Sequence, residues 1–201
     1  HPLSRRVFLN RLAGLTLALG TSAGLPIRAN PRRRDPYTDG VWLAGDHHIH
    51  TRYSPDGQYD IAQQVANALR HGLTWCVITD HGGPSHDRIA LDQAYPDLLA
   101  ARRRYPGILV YQGLEWNIPS AEHASVILPV GDSEARAIAD FEAMFDEKDT
   151  SRADHRNATE ADAVEGIRHL QRMHPKPIFI ANHPARRGLD SPHEMRAWAD
   201  A

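Results

Sequence analysis

Histidine and carboxylate side chains recur in this chain at the ends of short apolar runs. The densest group is Asp46-His47-His48-Ile49-His50-Thr51, followed closely by Ser54-Pro55-Asp56-Gly57. Residues 41–50 read as a strand entering a polar turn. Side chains alternate along a strand, so His48 and His50 share a face and His47 points away. Two imidazoles on one face can grip one metal ion with little reorganisation. Asp56, a few residues on, adds a hard oxygen ligand. Imidazole with carboxylate suits zinc, manganese or iron.

The elements that must position these ligands repeat the same grammar. Residues 73–79 form an apolar, β-rich run that ends in Asp80-His81-Gly82-Gly83. Residues 108–114 form another, ending in Glu115. His123 opens the run 124–128, and residues 177–181 end in Asn182-His183-Pro184. Parallel strands that each end in His, Asp or Glu bring those ends to one side of a sheet, where α/β enzymes place their chemistry. His48, His50, His81 and His183 are therefore expected to share a metal site. A lone His is more often a satisfied polar residue than a ligand. By that argument His86, His155, His169, His174 and His193 are expected not to be ligands.

Taken together, these segments resemble the polymerase and histidinol phosphatase (PHP) domain family. That family's Asp-x-His-x-His-Thr and Ser-Asp-Gly motifs are similar to Asp46 to Thr51 and Ser54 to Gly57, with Pro55 lengthening the turn by one residue. Thr79-Asp80-His81, Gly113-Leu114-Glu115 and Asn182-His183-Pro184 match its further motifs, in family order. The resemblance runs from about Val41 to the end. It implies an α/β fold, a distorted seven-stranded β/α (TIM-like) barrel, holding two or three divalent ions (Mn, Zn or Fe). Carried over to this chain, it puts one ion on His48, His50 and Glu115. A second shares Glu115 and adds His123 and His183, and a third lies on Asp56 and His81. A carboxylate has two oxygens and can span two cations, so Glu115 suits a bridging, catalytic role. Asp80 is expected to assist catalysis by orienting a neighbouring ligand.

The family's barrel finishes with a strand carrying Asp-x-His, a motif this sequence lacks. Five strand-like runs stand where the family has seven. The chain begins with His1 and stops at Ala201, inside what reads as a new helix with Ser191 as N-cap, Pro192 at its first position and Glu194 closing a capping box. The barrel is therefore expected to be incomplete here, with its C-terminal strands missing, and the bare chain a poor enzyme.

The N-terminus carries a separate message. Ser4-Arg5-Arg6-Val7-Phe8-Leu9 resembles a twin-arginine export signal. An uncharged apolar stretch over residues 12–25 follows, too short to span a membrane comfortably. Ile27-Arg28-Ala29 offers a cleavage point. The expected organisation is a signal peptide at 1–29, a Pro/Arg/Asp-rich linker at 30–40 and a hydrolase domain at 41–201, exported to the periplasm or beyond by the twin-arginine machinery. That route resembles one for proteins folded before crossing, and metal binding and folding are coupled. Removing residues 1–29 takes away four Arg and no acid, leaving 19 Lys+Arg against 25 Asp+Glu. Such a surface offers no basic footprint for nucleic acid. The single cysteine, Cys76, lies in a buried-looking run and has no partner for an internal disulfide.

Helices are expected at 61–71, capped by Asp60 and closed by Gly72, and at 90–105, 134–145 and 160–173. Ile61, Val65 and Leu69 should pack on the sheet, Pro96 should interrupt the second helix, and Phe141 and Phe145 should join the core. Residues 146–157 read as a solvated loop.

The chemistry these features favour is metal-dependent hydrolysis of a phosphate ester, with a small phosphorylated molecule as substrate. Clustered cations polarise phosphoryl oxygens and acidify a water, so no separate nucleophile is needed. Arg186 and Arg187 could bind the substrate phosphate, with Arg52 and His86 as weaker candidates. Two other readings share the ligands: hydrolysis of an amide or carboxylate ester, and an exported metal-binding module without turnover.

Overall fold

The computed structural model describes residues 41–149 and 157–183. The expected export segment, the linker, Arg186, Arg187 and the helix expected after Ser191 lie outside the described residues. In chain order the elements are β1 (Gly45–Ile49), α1 (Ile61–Arg70), β2 (Trp75–Ile78), α2 (His86–Ile89), a π-helical turn (Ala90–Ala94), α3 (Tyr95–Arg104), β3 (Leu109–Asn117), β4 (His123–Ile127), α4 (Glu134–Phe145), α5 (Glu160–Arg172) and β5 (Ile178–Ala181).

The strands form one sheet in sequence order. Helical crossovers make β1, β2 and β3 parallel neighbours. The expected common direction of the ligand-bearing strands fails at β4 alone, and β5 again runs the same way as β1 to β3. β4 runs antiparallel to β3, and β5 antiparallel to β4. Residues 118–122 are too short a link for a crossover helix, so the chain turns straight back. The reversal still keeps the ligands together, because His123 pairs with Asn117 and the start of β4 lies beside the end of β3. That pairing also carries β3 two residues past Glu115. Among the described residues the sheet has five strands, not seven, and its curl fits an incomplete TIM-like barrel.

Two apolar clusters hold the helices on the sheet. Ile61, Val65 and Ala68 of α1 and Leu98 of α3 meet Cys76, Ile78 and Val110. Ile138 and Phe141 of α4 and Ile167 of α5 meet Trp116 and Val126, with Phe145 packed at the margin. Asp60 and Gln63 form a capping box at the start of α1, and Gly72, at φ 81°, follows its end. Leu69 does not pack as expected: it is 39% exposed and Ala68 takes its place. Each step of four residues drifts about 40° round a helix, so a third such position leaves the buried stripe. Pro96 does not interrupt its helix either. It sits in the first turn of α3, directly after the π-helical turn, whose wider backbone spares the clash with the carbonyl four residues back.

The other face of the sheet is open. Leu43, His47, Trp75, Val77, Tyr111 and Ile180 line a 440 Å³ apolar cavity there. His47 thus points away from His48, as strand alternation requires. Residues 146–149 do not form the solvated loop expected: Asp146 and Asp149 are buried, as is Asn157. Asp146 accepts the backbone N–H groups of Asn117, Lys148 and Asp149 at 2.8–3.1 Å, which closes the end of α4. Among the described residues, no helix is long and apolar enough to cross a membrane.

Candidate metal centre

β1 delivers the first ligands. Its pairing with β2 slips between Asp46 and Ile49. Beyond that slip the chain is pinned: the Ile49 amide donates to Thr79 Oγ1 (3.1 Å) and Gln64 donates to the His50 carbonyl (2.8 Å). Asp80 is buried, and both its oxygens are taken by Thr51, whose amide and hydroxyl donate at 2.5 and 2.7 Å. Asp80 therefore grips the backbone next to His50, and its carboxylate orients that segment rather than a ligand ring. The turn then folds back tightly, with the Ser54 amide donating to the Thr51 carbonyl and the Gly57 amide to the Ser54 carbonyl. A Cβ at Gly57 would lie 1.9 Å from the Thr51 carbonyl oxygen, so only glycine closes this turn. With the turn closed, Asp56 reaches the site despite Pro55. Its Oδ1 is 2.8 Å from His50 Nδ1 and its Oδ2 is 3.5 Å from His81 Nε2.

Glu115 is the centre of the arrangement and is 0% exposed. An isolated bridge between His81 and Glu115 extends the β2–β3 pairing and brings His81 alongside. Five imidazoles then surround one carboxylate. Oε1 lies 3.4 Å from His48 Nε2, 3.5 Å from His183 Nε2 and 4.0 Å from His123 Nδ1. Oε2 lies 2.8 Å from His50 Nε2 and 3.2 Å from His81 Nε2. His48 Nε2 and His50 Nε2 are only 3.0 Å apart.

Close as they are, these atoms leave one another unsatisfied. Glu115 Oε2, His81 Nδ1 and His123 Nδ1 are buried with no hydrogen-bond partner. Orphaned buried donors and acceptors are costly, so a cluster of them is a place where something is meant to bind. The donor set, nitrogen and carboxylate oxygen without thiolate, fits a borderline or hard divalent cation. His48, His50 and Glu115 offer ligand atoms within 4.8 Å of one another, and so do His50, Asp56 and His81. His123 and His183 belong to neither trio, though each faces Glu115.

Electrostatics follow from the crowding. Burial alone would raise the Glu115 carboxyl, but His50, then His81 and His48, outweigh it and hold it at about 2. Burial would lower His50, yet Glu115 and Asp56 raise it to about 9. His48, His81 and His123 are lowered by burial, against the pull of Glu115. Burial opposes the drop in Asp56, but His50 and Ser54 prevail. One imidazole is thus set to carry the proton that a cation would replace.

Two positioning residues escaped the sequence reading. Buried Asn182 donates to Glu115 Oε1 (3.1 Å), lies 3.0 Å from His48 Nδ1 and accepts from Ser125 Oγ at 3.1 Å. Ser125 is itself 3.1 Å from His48 Nδ1. Its position two residues beyond His123 on β4 was the available signal, since alternation puts both on one face. His183 follows at a left-handed φ of 50° and is the most exposed of the five imidazoles, at 45%. Arg52 stands at the rim, held by Asp97 (3.2 Å) and Tyr53 (3.0 Å). It lines a 560 Å³ cavity with Asp56, His81, His86 and Lys148.

No curated protein sequence matches the chain significantly. Among solved structures, a two-domain protein of Bacteroides vulgatus containing a predicted PHP-like metal-dependent phosphoesterase is similar, with TM-score 0.51 and 21% identity over 79% of this chain and 41% of that one. A proposed metal-dependent phosphoesterase of Bifidobacterium adolescentis aligns with TM-score 0.34 and 23% identity over 50% of this chain and 34% of that one. The chain thus spans less than half the length of either protein, and the first likeness speaks for the fold alone. The family profile described as the PHP domain matches residues 46–179, two thirds of the sequence, and the chain belongs to that family.

Proposed function

We propose that this chain is a metal-dependent phosphoesterase that hydrolyses a small phosphorylated molecule. One observation carries the reading: both oxygens of a fully buried glutamate face ring nitrogens that make no hydrogen bond to them. His48, His50 and Glu115 would hold one ion, Glu115 with His123 and His183 a second, and Asp56 with His81 a third. Two or three bound divalent cations, manganese, zinc or iron, supply Lewis acidity to phosphoryl oxygens and to an attacking water.

The chain's own residues set the stage. Asp56 accepts from His50 Nδ1 and so turns His50 Nε2 toward Glu115. Asn182 holds Glu115 Oε1 and leaves Oε2 unbonded. Asp80 fixes Thr51 and with it the turn bearing Asp56. Arg186 and Arg187, which lie outside the described residues, are assigned to the substrate phosphate because they follow His183-Pro184 directly, with Arg52 assisting from the rim. The same reading takes the chain to be exported by the twin-arginine route. Ser4-Arg5-Arg6-Val7-Phe8-Leu9 supports it, and export of a reporter fused to residues 1–40 should vanish in an Arg5→Lys, Arg6→Lys variant.

The test is metal content followed by turnover. Elemental mass spectrometry should find two or three equivalents per chain, falling in a His48→Ala, His50→Ala variant. The manganese-loaded protein should then release phosphate from a phosphomonoester panel. Hydrolysis of an amide panel with no phosphate release would overturn the assignment.

A further inference from the structure

The wall of the 560 Å³ cavity contains an ion pair that the metal centre does not use. His86 opens α2 and Glu142 lies on α4, and both are buried. His86 Nδ1 lies 2.9 Å from Glu142 Oε2 and 3.0 Å from Oε1, and the Gly83 amide donates to Oε1 at 3.2 Å. Glu142 thereby fixes the ring with its proton on Nδ1. The other ring nitrogen, Nε2, has no hydrogen-bond partner, although the side chain is only 9% exposed. A pair that merely tied α2 to α4 would gain nothing from an unmet nitrogen, and a buried unmet N–H is costly. Burial would lower His86, but Glu142 outweighs it and favours the protonated ring, which makes Nε2 a donor.

The other polar groups of this wall are mostly engaged. Tyr53 and Arg52 bond to Asp97, and Ser54 Oγ donates to Asp56. Exposed Lys148 is different: among the described residues its ammonium has no hydrogen bond or ion pair, and it shares the cavity with His86. Of the unmet groups on this wall, His81 Nδ1 belongs to the metal centre, which leaves His86 Nε2 and the Lys148 ammonium as the cationic donors. Asp56 and His81 of the metal centre line the same cavity, so a phosphate held there has its ester oxygen at the cavity's border.

We propose that this cavity receives the alcohol portion of the ester, and that this portion carries its own anionic oxygen group, bound by His86 Nε2 and Lys148 Nζ. The proposal rests on the phosphoesterase reading for the placement of the phosphate. It narrows the substrate class to phosphate esters bearing a second acid, either a carboxylate or another phosphate.

The experiment is calorimetric titration of the zinc-loaded full chain with three probes: glycerol 3-phosphate, 3-phosphoglycerate and propane-1,3-diol bisphosphate. At least one doubly acidic probe should bind about tenfold more tightly than glycerol 3-phosphate, the worth of a charge-assisted contact. The carboxylate and bisphosphate arms identify which acid is preferred. Lys148→Ala, on an exposed side chain that the fold does not need, should collapse that ratio toward one, and His86→Gln should reduce it. Equal affinities for all three probes, or a ratio that Lys148→Ala leaves unchanged, would overturn the proposal. Turnover is scored separately. An intact, Lys148-dependent ratio without any hydrolysis would sink the phosphoesterase reading while upholding the acid-binding cavity.

Discussion

Glu115 and Asp146 are both fully enclosed acids, yet their surroundings follow opposite plans. Asp146 is met by three backbone amides and the Asn117 side chain, all at hydrogen-bonding distance. Burial, with Glu142 nearby, pushes its carboxyl up to about 7. Glu115 is met by five imidazoles, and one of its oxygens has no hydrogen bond at all. Its carboxyl is held at about 2. The first acid completes a backbone that has no other partner, so its role ends with the fold. The second gathers groups whose lone pairs converge, an arrangement that a cation completes and a hydrogen-bond network does not.

The contrast can be broken most directly at Glu115. Glu115→Gln should cost more than about a hundredfold in metal affinity and abolish phosphate release, because a bridging ligand matters more than its support. The fold should survive, as judged by circular dichroism; full metal content would end the bridging role. Asp146→Ala should behave in reverse. It strands several buried amides and should lower unfolding stability by about 3 kcal/mol in urea titration, with metal stoichiometry unchanged. Loss of ions in that variant would erase the distinction between the two regions. Gly82→Ala sharpens the same point, since its Cβ would lie 2.2 Å from Asp146 Oδ2 and so disturb Asp146.

Asn182→Ala should fall between these extremes. It frees Glu115 Oε1 and His48 together and should weaken metal binding about 10–100-fold, read by competition with a chelating dye. The smallest effect is the pH dependence of the metal-free protein. Glu115, held at about 2, stabilises the fold above its unfolded value and stops doing so as pH falls from about 4.5 to 2. His50, raised to about 9, stabilises below about 6.5, and that contribution fades as pH rises to 9. After solvent screening the His50 contribution is of order 1 kcal/mol. Added zinc should stabilise most at the alkaline end of that window, where it no longer competes with the His50 proton. A metal-induced shift in Tm that shrinks between pH 6.5 and 9 would contradict this.

Much of the site was legible because strand alternation is strict. The shared face of His48 and His50, the opposite face of His47 and the approach of His81 and Glu115 all follow from period-two geometry and parallel pairing. Strand direction was less legible. Only β4 is reversed, and the signals were its ligand, which opens the run where the others end theirs, and the short link at 118–122. Residues 146–149 misled for a different reason: their charges look like solvent contacts, but Asp146 is consumed by backbone amides that a sequence does not display. Leu69 was misplaced because steps of four were extended beyond what a 3.6-residue turn allows. Asn182 was seen as part of a motif, while its grip on Glu115 needs three strands in place before it exists.

His183 gives the centre an uneven grip. Four of its imidazoles hang from packed backbone, whereas this one sits in a left-handed conformation that costs about 1 kcal/mol for a residue with a Cβ. It is also the ring most open to water. Loss of an ion from that side would free the backbone to relax, returning part of the binding energy. On the proposed assignment, an ion held by His183 would be the last to arrive and the first to depart, exchanging with solvent ahead of its proposed neighbours.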